Sequence, residues 1–229
     1  MVLNPDGIFE IDRDELRGSR MRRNTLTAAR LAGLLPDQGD GPDWWAMVTL
    51  TYREDDAQSP RDITQFHQRV RAWLKRRGVV YVYVWVAELT KRGRLHYHVG
   101  IRLPKGTKLP KPDEMGWWTH GSTQIVRVRK HLGYLAKYMS KVQDVNRYPK
   151  GFRISGFGGL DEAARRERRW WASPSYVRET FGEEANPFRA EGGGWTDRET
   201  GEYMPSRYRM VGRGVGTVRL VDLWASDRA

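Results

Sequence analysis

Hydrophobic and polar positions alternate with a period of two in several short segments, as in strands whose two faces differ. Residues 46–52 and 123–128 follow this pattern, and residues 94–101 follow it around two histidines. Residues 79–88 are apolar at nearly every position, which predicts a central strand covered on both faces. A weaker pattern over residues 207–223 predicts one or two edge strands.

Helical periodicity appears in three other segments. Ser59 and Pro60 are typical of a helix start and Gly78 of its end, and the apolar positions between them share one helical face: Ile63, Phe66, Val70, Trp73 and Leu74. Residues 130–142 carry a second apolar stripe, and residues 161–171 suggest a very basic helix. The order strand, helix, strand, strand, strand, helix predicts an α+β fold, an antiparallel sheet with helices packed on it.

Composition shifts divide the chain into three parts. Residues 1–43 contain a short basic segment, a helix-compatible run and a Pro/Gly/Asp linker, and they are expected to form an arm rather than core. Residues 44–160 hold the regular pattern and are expected to form the main domain. Residues 161–229 form a basic C-terminal extension.

The charge narrows the choice of partner. A net charge of +12 makes nucleic acid the expected partner, with a membrane surface as the competitor. Ten tryptophans and ten tyrosines among the basic residues favour single strands, whose bases stack on aromatic faces. The chain has no cysteine, which excludes disulfides and zinc–thiolate sites. No apolar run is long enough to span a bilayer, and no signal peptide is recognisable, so we expect a cytoplasmic protein with no membrane partner.

The two histidines of the third segment are candidate metal ligands. His96 and His98 lie on one face of the predicted strand. If residues 91–93 form a three-residue loop with Gly93 in the left-handed conformation, Glu88 lies directly opposite His96 and supplies a third ligand. A two- or four-residue loop would turn Glu88 to the other face. The alternative is that the histidines are ordinary strand residues and Glu88 pairs with a nearby arginine.

Two tyrosines form a candidate nucleophile. Tyr134 and Tyr138 stand four residues apart on one face of the predicted helix, and Lys137 and Lys141 each follow a tyrosine by three residues. A phenol is a poor nucleophile near neutral pH, so a neighbouring ammonium group or metal-bound phosphate would assist it. The alternative is that both tyrosines are boundary residues of an amphipathic helix.

Together these segments resemble the HUH endonuclease superfamily. Residues 48–52 are similar to its first-motif strand, residues 94–98 to its histidine motif and residues 134–141 to its nucleophile helix. The resemblance covers residues 44–158 and is nearest to rolling-circle replication initiators of phages and plasmids. It implies a ferredoxin-like sheet with the histidine strand central. It also implies Mg²⁺ or Mn²⁺ held by His96, His98 and a third residue, for which Glu88 is the candidate.

The activity implied by the resemblance is nicking and joining of single-stranded DNA through a 5′-phosphotyrosine. Tyr138 is the expected nucleophile with Tyr134 as its partner, and Lys137 or Lys141 would orient the phosphate. Implied partners are an origin hairpin, a host helicase (the chain has no P-loop motif) and a DNA polymerase. The expected DNA contacts are Arg92, Arg94, Thr49, Thr51, Arg127 and Arg129. A transposase or relaxase with the same chemistry and a non-catalytic nucleic-acid-binding regulator are the alternatives.

Overall fold

The computed structural model describes residues 7–33, 43–90, 92–128 and 148–225. Its strands are β1 Ile8–Asp12, β2 Asp43–Thr51, β3 Val82–Leu89, β4 Leu95–Pro104, β5 Thr123–Val128, β6 Ser155–Gly158, β7 Pro187–Arg189, β8 Trp195–Asp197, β9 Tyr203–Met204, β10 Tyr208–Arg213 and β11 Thr217–Asp222. Its helices are α1 Arg13–Leu31, α2 Asp62–Lys75, α3 Glu162–Ala172 and α4 Ser175–Phe181.

The chain divides into two compact units, named here for their places in the sequence. The central unit spans residues 25–164, and the terminal unit combines residues 1–24 with residues 165–229. The two boundaries fall within α1 and α3.

The central unit is built on a five-stranded antiparallel sheet. The strand order is β5-β2-β4-β3-β6, so the histidine strand β4 is the middle strand. Each of the long strands β2, β3 and β4 is apolar at most positions, because both sheet faces are covered. The α+β class, an antiparallel sheet with helices packed on it and consistent with a ferredoxin-like fold, is confirmed.

Different helices cover the two faces of this sheet. On one face, the α2 residue His67 stacks on Tyr83 with ring centroids 4.2 Å apart. The opposite face carries the histidines, since Ser155 pairs with Val86 and Val86 pairs with His98. There the hydroxyl of Thr25, in the second half of α1, donates to that of Ser155 at 2.9 Å. The second half of α1 therefore packs on the same face as the histidines.

The N-terminal region differs from the predicted arm. Its residues form β1 and the long helix α1, and Ala28 and Ala29 are fully buried. Strand β1 pairs with β11, so Ile8 lies beside Val221. A partner so distant in sequence leaves no local signal, and the small alanines gave no strong apolar stripe to identify a packed helix.

The terminal unit has its own sheets and core. Strand β11 lies between β1 and β10, so the prediction of edge strands was wrong for β11, whose second neighbour comes from the N-terminal segment. The three short strands β7, β8 and β9 form another antiparallel sheet in a region that the sequence marked only as turn-rich. The core contains Tyr176, Val177, Trp195 and Met204.

Helix α2 begins with a reciprocal cap. The Ser59 N–H donates to Asp62 Oδ2 at 2.9 Å, and Ser59 Oγ accepts from the Arg61 N–H at 3.2 Å. The buried Asp62 carboxylate also accepts from the Tyr52 hydroxyl at 2.9 Å, which ties the helix start to the end of β2. The predicted start is confirmed within the usual uncertainty of helix ends.

The buried His67 should make folding stability depend on pH. Burial, with a smaller contribution from the positive charge of Arg71, lowers the pKa of His67 from 6.5 to about 3. The folded state thus favours the neutral ring, and its stability is complete above the unfolded pKa and falls as the pH drops below it. We expect the free energy of unfolding to fall by about 2 kcal/mol between about pH 8 and about pH 5 from this group.

Urea unfolding of the native protein and of His67→Gln at both pH values isolates this contribution. The glutamine variant should be less stable at the higher pH but should lose less stability on acidification. An equal loss in both proteins would show that His67 does not cause it.

Candidate metal centre

The hairpin between β3 and β4 has the predicted geometry. The Thr90 N–H donates to the Arg94 carbonyl at 2.8 Å, and the Gly93 N–H donates to the Thr90 carbonyl at 2.9 Å. Gly93 has a φ of +77°, the left-handed conformation that a glycine adopts without strain. Glu88 is consequently the register partner of His96, and the predicted pairing is confirmed.

Strand β2 adds two hydroxyl groups to the same face. Thr51 pairs with His96, and Thr49 pairs with His98. Gln124 of β5 pairs with Thr49 from the other side. Since paired residues in a sheet share a face, the end of the sheet next to the hairpin carries a continuous polar group on its histidine face.

His98 is held at both ring nitrogens. Its Nε2 lies 3.0 Å from Glu88 Oε2, and its Nδ1 lies 3.3 Å from Thr49 Oγ1. The ring is 5 % exposed. When Nε2 carries the proton it donates to Glu88, and Nδ1 then accepts from the Thr49 hydroxyl. Glu88 therefore bonds diagonally to His98 rather than straight across to His96.

His96 lies in a more open position. Burial lowers its pKa from the ordinary value of 6.5, and the Glu88 carboxylate opposes that shift. The neutral ring is the form that binds metals. Around pH 7, His96 is thus suited to act as a ligand.

The three side chains supply a suitable donor set but do not converge on one point. In the described ranges, no group of three His, Asp or Glu side chains is placed to share an ion. Nε2 of His98 and Oε2 of Glu88 are 3.0 Å apart, close to the roughly 3 Å between adjacent ligands of an octahedral ion with bonds near 2.1 Å. His96 has its Cβ across the strand pair from Glu88, within reach by a change of rotamer. The residues fit a small divalent cation.

The arginines expected to contact DNA have other roles in part. Arg94 donates to the carbonyls of Arg53 and Asp56 at 2.6 and 2.5 Å and so braces the loop after β2. Arg92 is exposed and donates to Glu54. Arg127 pairs with Ala46, which places it on the face away from the histidines.

The candidate nucleophile helix lies outside the described residues. This applies to Tyr134, Lys137, Tyr138 and Lys141, and also to Arg129. Nearby, the structure places a tyrosine that the sequence did not single out: the Tyr148 hydroxyl donates to the Ala87 carbonyl at 3.0 Å. No motif surrounds Tyr148, so its place beside Glu88 could not be anticipated.

The fold and site together define an α+β protein whose central antiparallel hairpin presents two histidines and a glutamate on one face. Residues 45–143, less than half of the chain, match a family of replication-associated proteins of the ORF2 type. The match supports a replication-associated protein and includes both the hairpin and the tyrosine segment. No curated protein and no solved structure matches the chain significantly. Within the described ranges, no helix is long and apolar enough to cross a membrane.

Proposed function

We propose that the protein starts rolling-circle replication by nicking and rejoining single-stranded DNA through a tyrosine nucleophile, with Mg²⁺ or Mn²⁺ at the hairpin. One observation carries the proposal: Glu88 lies opposite His96 and directly contacts His98 on the middle strand pair of the sheet. The family match favours replication over transposition or conjugation. A host helicase and polymerase would follow at the nick, in the cytoplasm of the cell where the DNA replicates.

The three hairpin residues would hold the cation. Bound there, the ion would polarise the scissile phosphate and offset the charge that develops on its oxygens. Thr49 would orient His98 by accepting from Nδ1–H, as outer-shell partners do for metal-bound histidines. The rigid β3–β4 ladder on both sides of Glu88 and His98 keeps this arrangement in place before DNA arrives.

The cleavage step transfers the phosphoryl group to a tyrosine. The phenol oxygen of Tyr138 or Tyr134 attacks phosphorus, and the bond from phosphorus to the 3′ oxygen breaks. The phenol loses its proton and the departing 3′ oxygen gains one. Lys137 or Lys141 would stabilise the ionised phenol or the phosphate. Attack by a 3′-hydroxyl on the phosphotyrosine reverses the step and rejoins the strand.

Covalent trapping tests the proposed nucleophile. The native protein, incubated with Mn²⁺ and single-stranded origin hairpins, should give an adduct that survives denaturing electrophoresis. The Tyr134→Phe/Tyr138→Phe double variant should give none, because both phenols are gone. Tyr148→Phe is the matched control and should retain the adduct, since its hydroxyl is engaged with Ala87. An adduct that persists in the double variant would contradict the assignment.

The direct contact between His98 and Glu88 also fits a second function, a non-catalytic DNA-binding regulator in which this pair is structural. Such a protein would bind DNA in a salt-sensitive manner without needing a metal. Absence of any adduct on origin-derived strands, with DNA binding intact, would favour this alternative.

A further inference from the structure

The terminal unit contains a pocket that the hairpin chemistry does not use. Its volume is about 760 Å³, within the range of small-molecule sites and large enough for one nucleotide. It is lined by Leu16, Ser19, Arg20, Arg23, Trp171, Ala172, Pro174, Ser175, Arg178, Arg189 and Trp195. We propose that this pocket binds single-stranded DNA, with its arginines on the phosphates and a base against its tryptophans.

The charge of the pocket selects an anion. Four of its lining residues are arginines and none is acidic. On α1, Arg20 and Arg23 follow Leu16 at helical spacing, so one helical face supplies both guanidinium groups. Across the described residues, neither Arg20 nor Arg23 has a carboxylate partner. Guanidinium groups without a carboxylate retain their full donor capacity for phosphate.

Two other arginines are held in place by the pocket itself. Arg178 donates to the carbonyls of Trp171 and Ser173 at 3.1 and 2.9 Å. The guanidinium carbon of Arg189 lies 4.4 Å from the ring centroid of Trp195. Both positive charges are therefore ordered in advance, which lowers the entropic cost of binding an anion.

A buried donor also points to a ligand. The Trp195 side chain is more than nine-tenths buried, being 8 % exposed, yet its Nε1–H has no hydrogen-bond partner among the residues that the structure describes. Buried indole donors usually find an acceptor. A phosphate or base oxygen entering the pocket would supply one.

The combination favours a nucleic-acid strand over other anions. Arginine beside an aromatic face suits a chain that alternates phosphates and bases. A flat anionic membrane would not fill a concave pocket of this size. The choice of DNA rests on the proposed function, while the anionic character of the ligand rests on the pocket alone.

Salt-dependent binding of the full-length protein to fluorescein-labelled oligothymidylate tests the proposal. For Arg20→Gln/Arg23→Gln, we expect the Kd to rise about tenfold and the slope of log K against log salt to become shallower by about 1.4, or about 0.7 for each lost phosphate contact. The exposed pair in Arg209→Gln/Arg219→Gln is the matched control, with the same charge change away from the pocket. That control should change both quantities much less.

The stacking contact is tested separately. Trp171→Leu should weaken binding severalfold without changing the salt slope, because stacking releases no counterions. Equal losses in the pocket and control arginine pairs would overturn the proposal. So would unchanged DNA binding in the pocket pair combined with lost binding to phosphatidylserine vesicles, or a duplex bound as well as the single strand with the same dependence on the pocket.

This assay separates the inference from the proposed chemistry, because the oligothymidylate is only bound and never cut. A His96→Ala protein should show native affinity for it. Retained pocket-dependent binding together with no adduct in the trapping assay would reject the nicking activity alone. Loss of the pocket effect with normal adduct formation would reject the pocket alone.

Discussion

His98→Ala should reduce the rate of covalent adduct formation by about 1,000-fold, since a catalytic divalent cation contributes several kcal/mol of transition-state stabilisation. His98 is the best-placed candidate ligand, because Glu88 contacts its Nε2 and Thr49 its Nδ1. Affinity for an uncut oligonucleotide should change little. The rate is measured in single turnover with saturating Mn²⁺.

His120→Ala is the control for loss of an imidazole. His120 lies 3.5 Å from the Asp62 carboxylate and packs against Tyr52, on the sheet face away from the hairpin ligands. Its removal should leave the adduct rate within severalfold of the native value. A His98→Ala protein that forms adduct at the native rate would show that His98 has only a structural role.

Asp62→Ala should lower the free energy of unfolding by about 3 kcal/mol. The substitution removes the cap on the Ser59 N–H and leaves the buried Tyr52 hydroxyl without its acceptor. A buried donor left unsatisfied costs about 1–3 kcal/mol, and loss of a helix cap about 1 kcal/mol more. Chemical denaturation measures the change.

Two variants set the scale for this measurement. Asp55→Ala removes an exposed aspartate from the neighbouring loop and should alter stability by less than about 0.5 kcal/mol. Asp62→Asn retains a carbonyl acceptor and should cost less than Asp62→Ala. Equal stability of Asp62→Ala and Asp55→Ala would contradict the role given to this carboxylate.

Local signals made the hairpin predictable. The loop of residues 91–93 and the left-handed Gly93 set the β3–β4 register within a few residues of chain, so the position of Glu88 opposite His96 followed from sequence. The start of α2 was similarly accessible, because Ser59 and Asp62 are three residues apart. The strand of residues 123–128 showed its alternation directly.

Non-local pairing explains most of what the sequence did not reveal. The contact of Thr49 with His98 depends on the β2–β4 register across nearly fifty residues. The pairing of β1 with β11 joins opposite ends of the chain. The diagonal bond from Glu88 to His98, in place of a contact with His96, depends on rotamers chosen by the packed side chains. None of these has a signature within a short window.

Binding of Mn²⁺ to the full-length protein, followed by electron paramagnetic resonance of the free ion, tests the proposed metal centre most directly. We expect one site per chain that is lost in Glu88→Ala, His96→Ala and His98→Ala and kept in His120→Ala, without DNA present. Equal Mn²⁺ binding by the native protein and all three hairpin variants would contradict the assignment of this centre.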